Sequence, residues 1–429
     1  FNDTNIKLYE SNIPPLLRFF HVKNISPSGW IVIPKKKAIV NSGESKSVNC
    51  HFEITTNYKN IIPLNDNEKR VPYKIMSFDI EASSSHGDFP VPIKTYKKLS
   101  TNIIEYFEGL TVELTKDTCK DLLRKIILSA FGFEIMTQID LVYPIKKVKT
   151  QERVVELCEK WLNTLVSNMR PTDDLLNVST IEKMFEKMGM DEEDDGDHPN
   201  YVKAYDNKKA TIVDVLCDKK FDREGKLNEL NQTLNQVFPK LEGDKVTFIG
   251  STFMNYGNKD PNFNHCIALN TCSTKSFPEN TVIESYTTEK EVLLAWQKLV
   301  QRENPDIVIG YNIFGFDYQF MFNRAEENKC TEEFLKLSRN KDEVCGIKDK
   351  DTGKYKLEES VLQIASGQHE LRFIKMNGRL QVDLYNYYRR EVNLVSYKLD
   401  YVAGNFIGDV VKSLEHTDSQ TIIKTGNMT

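Results

Sequence analysis

The spacing of apolar and polar positions changes several times along the chain, and each change marks an element. GWIVIP (Gly29 to Pro34) and SVNCHFEI (Ser47 to Ile54) are short β-like runs with turn residues between them. The segment to about Tyr73 therefore reads as a small β-rich or α/β domain. IMSFDIEASSSHGDFP (residues 75–90) is apolar and β-compatible from Ile75 to Ile80, then closed by a Ser/Gly/Asp/Pro cluster, and reads as a strand.

From about Lys94 to Glu242 the period becomes helical. Val154, Leu157, Trp161 and Leu165 recur at the spacing of one buried helix face. STIEKMFEKMG offers Ser179 as an N-cap, Glu182 three residues on, and Gly189 as a stop. The acidic run DEEDDGD (residues 191–197) fits a calcium loop at Asp191, Asp195 and Gly196, but Glu193 stands third and Val202 twelfth, where a bidentate Glu is needed. It reads as a solvated linker.

After Gly243 the β signal returns. KVTFIGSTFMNYG and HCIALNTC read as two strands joined by NKDPNFN. Thr288 and Glu291 form a capping box for a helix that places Leu293, Trp296 and Val300 on one face. Pro305, the strand DIVIG and YNIFGFDYQFMFNRAEEN follow, the last helical in its second half. Strand, strand, helix, strand, helix behind the first acidic strand predicts an α/β fold, a mixed sheet with helices on it.

The chemistry sits on two of these elements. Asp79 and Glu81 are two apart in a strand, so both carboxylates project from one face. Neighbouring anions resist ionising unless something positive lies between them. A hard divalent cation such as magnesium or manganese would serve; so would a lysine, or plain exposure at a strand end. In the second stretch a turn from Asn312 to Gly315 delivers Phe316 and Asp317 to the start of a helix. Asp317 there reads as an N-cap or as a metal-ligating anion favoured by the helix N-terminus. Phe316 reads as core packing or as a face for stacking on a base.

Composition narrows the classes. The 429 residues allow two or three domains at roughly 100–200 residues each. A net charge of −5 excludes a generally basic nucleic-acid coat protein but not a nucleic-acid enzyme, which needs acids at its metal site and positive charge only along a groove. Lys35 to Lys37, and Lys146, Lys147 and Lys149, are local basic clusters that read either as solvated faces or as phosphate contacts. The eight cysteines form no Cys-x-x-Cys pair and read as reduced thiols of an intracellular protein. No stretch approaches the ~20 apolar residues of a membrane span, and no signal peptide opens the chain. Phe1 at the start and TIIKTGNMT at the end lead to the expectation of a piece of a longer protein.

Phe-Asp-x-Glu followed by Tyr-Asn-x-x-x-Phe-Asp-x-x-Phe resembles the first and second exonuclease motifs of family B DNA polymerases. LYESNIPPLLRFFHVKNISPSGWI is similar to the N-terminal region of delta-type polymerases, and Gly378 to Gly408 to the segment after the second motif. FDIEASSSHGDFP and KTGNMT look like the polymerases of giant double-stranded DNA viruses.

The resemblance implies a ribonuclease H-like exonuclease domain behind a β-rich N-terminal domain. Its parts would be residues 1–73 (N-terminal domain), 74–93 (first strand and motif), 94–242 (a helical, acidic insertion), 243–415 (remainder of the exonuclease) and 416–429 (a further insertion or linker). It implies proofreading by 3′-to-5′ hydrolysis with two magnesium or manganese ions held by Asp79, Glu81 and Asp317, and DNA contacts from Tyr311, Asn312 and Phe316. The implied partners are primer-template DNA and its single-stranded 3′ end, deoxynucleotides for the whole enzyme, and a sliding clamp. Its place would be inside the cell, in a host nucleus or a cytoplasmic viral replication site. The third motif, Tyr-x-x-x-Asp, is absent: Tyr397 and Asp400 have the wrong spacing, and Asp383 matches a position upstream of it. The polymerase motifs Asp-x-x-Ser-Leu-Tyr-Pro-Ser and Tyr-Gly-Asp-Thr-Asp are absent too, so the fragment alone is expected to be weak or inactive. A stand-alone exonuclease and a catalytically inactive nucleic-acid-binding module are the alternatives.

Overall fold

The structure, a computed structural model, describes residue 9 and residues 11–84, 87–110, 115–166, 210–217, 221–272, 278–364 and 367–407. The readings made at residues 179–189 and 191–197 lie outside these. Two units emerge, Phe1–Glu81 with Val246–Thr429, and Ala82–Lys245.

In the first unit, the N-terminal segment holds four three-residue strands in two antiparallel pairs. β1 (Trp30–Val32) pairs with β4 (Ile62–Leu64), and β2 (Ile39–Asn41) with β3 (Glu53–Thr55). A helix, Pro15–Lys23, precedes them and was not anticipated; Pro15 suits a first helical position, where its missing N–H costs nothing.

The main sheet contains β5 (Lys74–Ser83), β6 (Lys245–Asn255), β7 (Phe263–Leu269), β8 (Thr281–Tyr286) and β9 (Ile307–Gly310). After β9 come the small pair β10 (Ile347–Lys348) and β11 (Tyr355–Lys356) and the hairpin β12 (Glu358–Ile364) and β13 (Gly367–Phe373). β14 (Leu380–Asp383) completes a six-stranded sheet in the order β14-β9-β5-β6-β7-β8. It is mixed: β14 and β5 run parallel to β9, whereas β6 and β7 are antiparallel. β8 is an extra strand between the expected pair and the expected helix. It lies at the sheet edge, where burial alternates poorly and the apolar signal is faint.

Helix Glu289–Glu303 opens with the expected capping box, Thr288 accepting the Glu291 N–H while Glu291 accepts that of Thr288. Leu293, Trp296 and Val300 are fully buried on it. Phe78 of β5 sits against Trp296 and against Tyr318 of helix Asp317–Glu327, with ring centroids 5.0 and 5.5 Å apart. Arg324 of the second helix forks onto Glu289 of the first at 2.9 and 2.7 Å, both side chains buried. Glu289 also accepts the Val246 N–H that begins β6, at 2.9 Å. One buried ion pair thus ties two helices and a strand together.

The Ala82–Lys245 unit is helical, with helices Lys97–Glu108, Lys116–Ala130, Gln151–Leu162, Ile212–Cys217 and Arg223–Val237. Val154, Leu157 and Trp161 are buried as their spacing predicts, and Trp161 donates to Thr233 Oγ1 at 2.9 Å. Leu165 departs from the prediction. The helix ends at Leu162, and Leu165 forms a β-bridge to Thr211 with its side chain exposed.

Candidate active site

Strand geometry builds the first half of the site. On β5 Met76, Phe78 and Ile80 are buried, which turns Asp79 and Glu81 together to the opposite face. β9 and β14 lie beside β5 and run the same way, with Ser77 level with Ile309 and Asp383 level with Gly310. The carboxyl ends of three parallel strands therefore share one rim, the usual place for a site in an open α/β sheet.

The turn after β9 builds the second half. Gly310 and Gly315 are there because backbone and side chains come too close for a Cβ. At Gly310 a Cβ would lie 2.4 Å from Ile313 Cγ2 and 3.0 Å from the Phe78 carbonyl; at Gly315 it would lie 2.3 Å from Asn312 Oδ1. Asn312 is left-handed, φ 62°, which Asn tolerates better than most residues. Phe316 takes the N-cap position and makes no side-chain cap, so Asp317 is the first residue of the helix rather than its cap. This excludes the capping reading of Asp317. Its side chain is 2% exposed and lies beside the Asp79 carboxyl and the Ile80 N–H of β5.

The structure thus joins Asp79 and Asp317, which are distant in the chain. Burial, then the neighbouring Asp79 charge, pushes the Asp317 carboxyl well above the ordinary carboxylate range. Desolvation raises Asp79 as well, although solvent still reaches its side chain. Glu81 is raised by desolvation and then by the Asp79 charge. Asp317 Oδ1 is buried and has no hydrogen-bond partner. Beside Asp79 a cleft of about 400 Å³ runs over Ser77, Gly250, Thr252, Asn264 and Cys266.

A hard divalent cation fits this donor set, which is all carboxylate oxygen with one buried lone oxygen to spare. Among the described residues no three His, Cys, Asp or Glu side chains close into a cage, and Glu81 stays outside the Asp79–Asp317 contact.

The remaining expected residues make contacts of their own. Tyr311 donates its hydroxyl to the Tyr397 carbonyl and meets the Tyr385 ring edge-on at 5.7 Å. The Phe316 ring lies 5.2 Å from that of Phe320 and is only half-buried. Tyr397 donates to the Val392 carbonyl at 2.9 Å, and Asp400 is exposed in helix Leu399–Phe406. Sequence reasoning missed the role of Asp383. It is buried, accepts the N–H groups of Asn312 and Phe314 at 2.9 and 3.0 Å, and also binds Tyr385 N–H and Asn386 Nδ2. Its signal was present: LQVD ends a strand on an acid directly before a helix.

The mixed sheet and its helices define a ribonuclease H-like nuclease domain. The chain belongs to the exonuclease-domain family of family B DNA polymerases, whose model (DNA polymerase family B, exonuclease domain) matches residues 6–104 and 191–402. It is 42% identical over 450 residues to a DNA polymerase of Phaeocystis pouchetii virus, covering 100% of this chain and 42% of that protein. It is 34% identical over 445 residues to a DNA polymerase of Pyramimonas orientalis virus, covering 98% of this chain and 32% of that protein. A DNA polymerase delta catalytic subunit of Candida albicans is 30% identical over 184 residues, 42% of this chain and 16% of that protein. The chain therefore spans less than half the length of these viral relatives. No helix among the described residues is long and apolar enough to cross a membrane.

Proposed function

We propose that this chain is the proofreading portion of a replicative DNA polymerase, within which it hydrolyses the 3′ end of single-stranded DNA and releases a deoxynucleoside monophosphate. The observation that carries the reading is the Asp79–Asp317 contact, a half-dry pair of acids with one buried oxygen unpaired. Asp79 and Asp317 would hold magnesium or manganese, and Glu81 would join them through its contact with solvent or substrate. Two such ions supply an activated water and charge stabilisation for the leaving 3′ oxygen.

The chain's own groups do the rest. The cleft over Gly250 and Thr252 has room for a terminal nucleotide, since ligand pockets run to about 300–1,000 Å³. Asn312, fixed by Asp383, sets the turn that carries Asp317. The partly exposed Phe316 ring would stack on a base, worth ~1–3 kcal/mol. Preference for a mispaired end follows from the smaller cost of unpairing it. In the whole polymerase, deoxynucleotides and a sliding clamp would act elsewhere, at an intracellular site of replication.

Calorimetric titration of manganese into wild type and Asp79→Ala, paired with release of nucleotide from labelled single strands, tests the proposal. Binding in wild type that disappears in the variant supports it. An absence of manganese binding by wild type would overturn it in favour of a catalytically inactive module.

A further inference from the structure

We propose that a basic cleft in the Ala82–Lys245 unit binds the sugar-phosphate backbone of single-stranded nucleic acid, apart from the Asp79–Asp317 site. The cleft has a volume of about 540 Å³ and is lined by Lys146, Lys147, Lys149 and Arg153 over a floor that includes Leu157 and Phe238. All four basic residues are exposed, while Leu157 and Phe238 are buried. Four cations converge on one concavity of a chain whose net charge is −5.

Neutralisation within the protein does not account for them. Lys146, Lys147 and Lys149 form no ion pair among the described residues. Arg153 meets Glu156 at 2.5 Å through one terminal nitrogen. Glu152 and Glu156 lie on the same helix but outside the lining. Like charges gathered beside a low-dielectric floor focus their field into the cleft, which favours an anion there.

The lysine segment is also held in place. The Ile145 N–H donates to the Lys240 carbonyl at 3.0 Å and the Glu242 N–H to the Tyr143 carbonyl at 2.8 Å. Helix Gln151–Leu162 begins two residues after Lys149. The concavity is thus built by backbone pairing on one side and a helix on the other, so an arriving phosphate meets cations already assembled.

Three features choose the ligand class. Lysine acts on phosphate as a point charge without demanding one orientation. Phe238 is buried, so no ring is offered for stacking and base identity is not read. The preference for nucleic acid over other polyanions rests on the function proposed above. Residues 105–190 fall outside the family match, so the lysine wall of this cleft is an addition to the matched exonuclease residues.

The test uses the full chain, EDTA to prevent cleavage, and fluorescence anisotropy of a labelled oligonucleotide of about 15 nucleotides. Log affinity is followed against log salt. The triple variant K146E/K147E/K149E should bind at least about tenfold more weakly and flatten the slope by about 2, since each phosphate contact on a single strand contributes roughly 0.7. The Lys→Gln triple at the same positions should show a smaller loss in the same direction with an unchanged circular dichroism spectrum. Oligo-dA and oligo-dT should bind alike. K35E/K36E/K37E, at the other lysine cluster, should leave affinity and slope near wild type.

Unchanged affinity and slope in both triples at 146–149 would overturn the inference, as would an equal loss in the control at 35–37. Tighter binding of polyglutamate or phosphatidylserine vesicles than of DNA would overturn the choice of ligand. Manganese titration of K146E/K147E/K149E should match wild type, so failure of the nuclease reading and failure of this one give different results.

Discussion

The Asp383 carboxylate, at the end of β14, accepts the backbone N–H of Asn312 at 2.9 Å and so pins the turn that delivers Asp317. Its second oxygen takes the Phe314 N–H at 3.0 Å. A single buried side chain thus holds both ends of a tight, left-handed loop, while touching none of the acids thought to bind metal.

Asp383→Ala should leave these amides without an acceptor. A buried donor stranded in this way costs about 1–3 kcal/mol, so urea unfolding should show a loss of at least about 2 kcal/mol. Excision of a 3′ nucleotide should fall mainly in kcat, because the turn rather than the substrate cleft is disturbed. A variant with wild-type stability and activity would show that the contact is incidental.

Metal should stabilise the fold. Because Asp79 and Asp317 repel when both are charged, a divalent ion binding the native pair raises stability by mass action, about 2.7 kcal/mol at a hundred times the dissociation constant. Thermal melting should therefore rise with manganese in wild type and stay flat in Asp317→Asn. The same substitution should lower cleavage more than about 100-fold, beyond what loss of an outer-shell partner causes. A manganese-dependent rise of equal size in Asp317→Asn would place the ion elsewhere.

The acid limit of the helical unit should depend on Asp214. Its carboxyl is held down to about 2, first by the Lys116 ammonium at 2.5 Å and then by the Thr211 N–H at 2.8 Å. A depressed carboxyl stabilises the native state above its unfolded pKa, and that contribution disappears as pH falls through the native value. Wild type should exceed Asp214→Asn in urea midpoint at neutral pH, and the gap should close between about pH 4 and pH 2. A gap that persists at pH 2 would assign the effect to packing instead.

What could be read in the chain beforehand was local. Phe78 and Ile80 alternate with Asp79 and Glu81, so the acidic face of β5 followed from period alone. Thr288 with Glu291, and Gly315 before Phe316, likewise declared a helix start and a turn. The approach of Asp317 to Asp79 was implied only by the family resemblance and not by local pattern, because it depends on β5 and β9 lying side by side in one register. Asp383 escaped for the same reason: its four donors come from a turn some seventy residues earlier and from the helix it caps. Leu165 shows the opposite error, a periodic residue whose helix had already ended because the backbone found Thr211 instead.

The Glu289–Arg324 pair offers the sharpest test of how the helix bearing Asp317 is held. Both groups are buried, Arg324 donates twice to Glu289, and Asn328 adds a third donor at 2.7 Å. Such a pair gains little over a well-packed apolar substitute, because desolvation offsets the attraction, but breaking it strands a charge. Glu289→Met should therefore cost about 3–5 kcal/mol, whereas Glu289→Met with Arg324→Met should recover most of that loss. The Val246 amide loses its acceptor in either variant, so recovery should stop short of wild type by roughly 1–3 kcal/mol. Urea unfolding of the two single variants and the double completes the cycle. Strictly additive losses would mean that each side chain stabilises the helices independently, and that the ion pair does not set the position of Asp317.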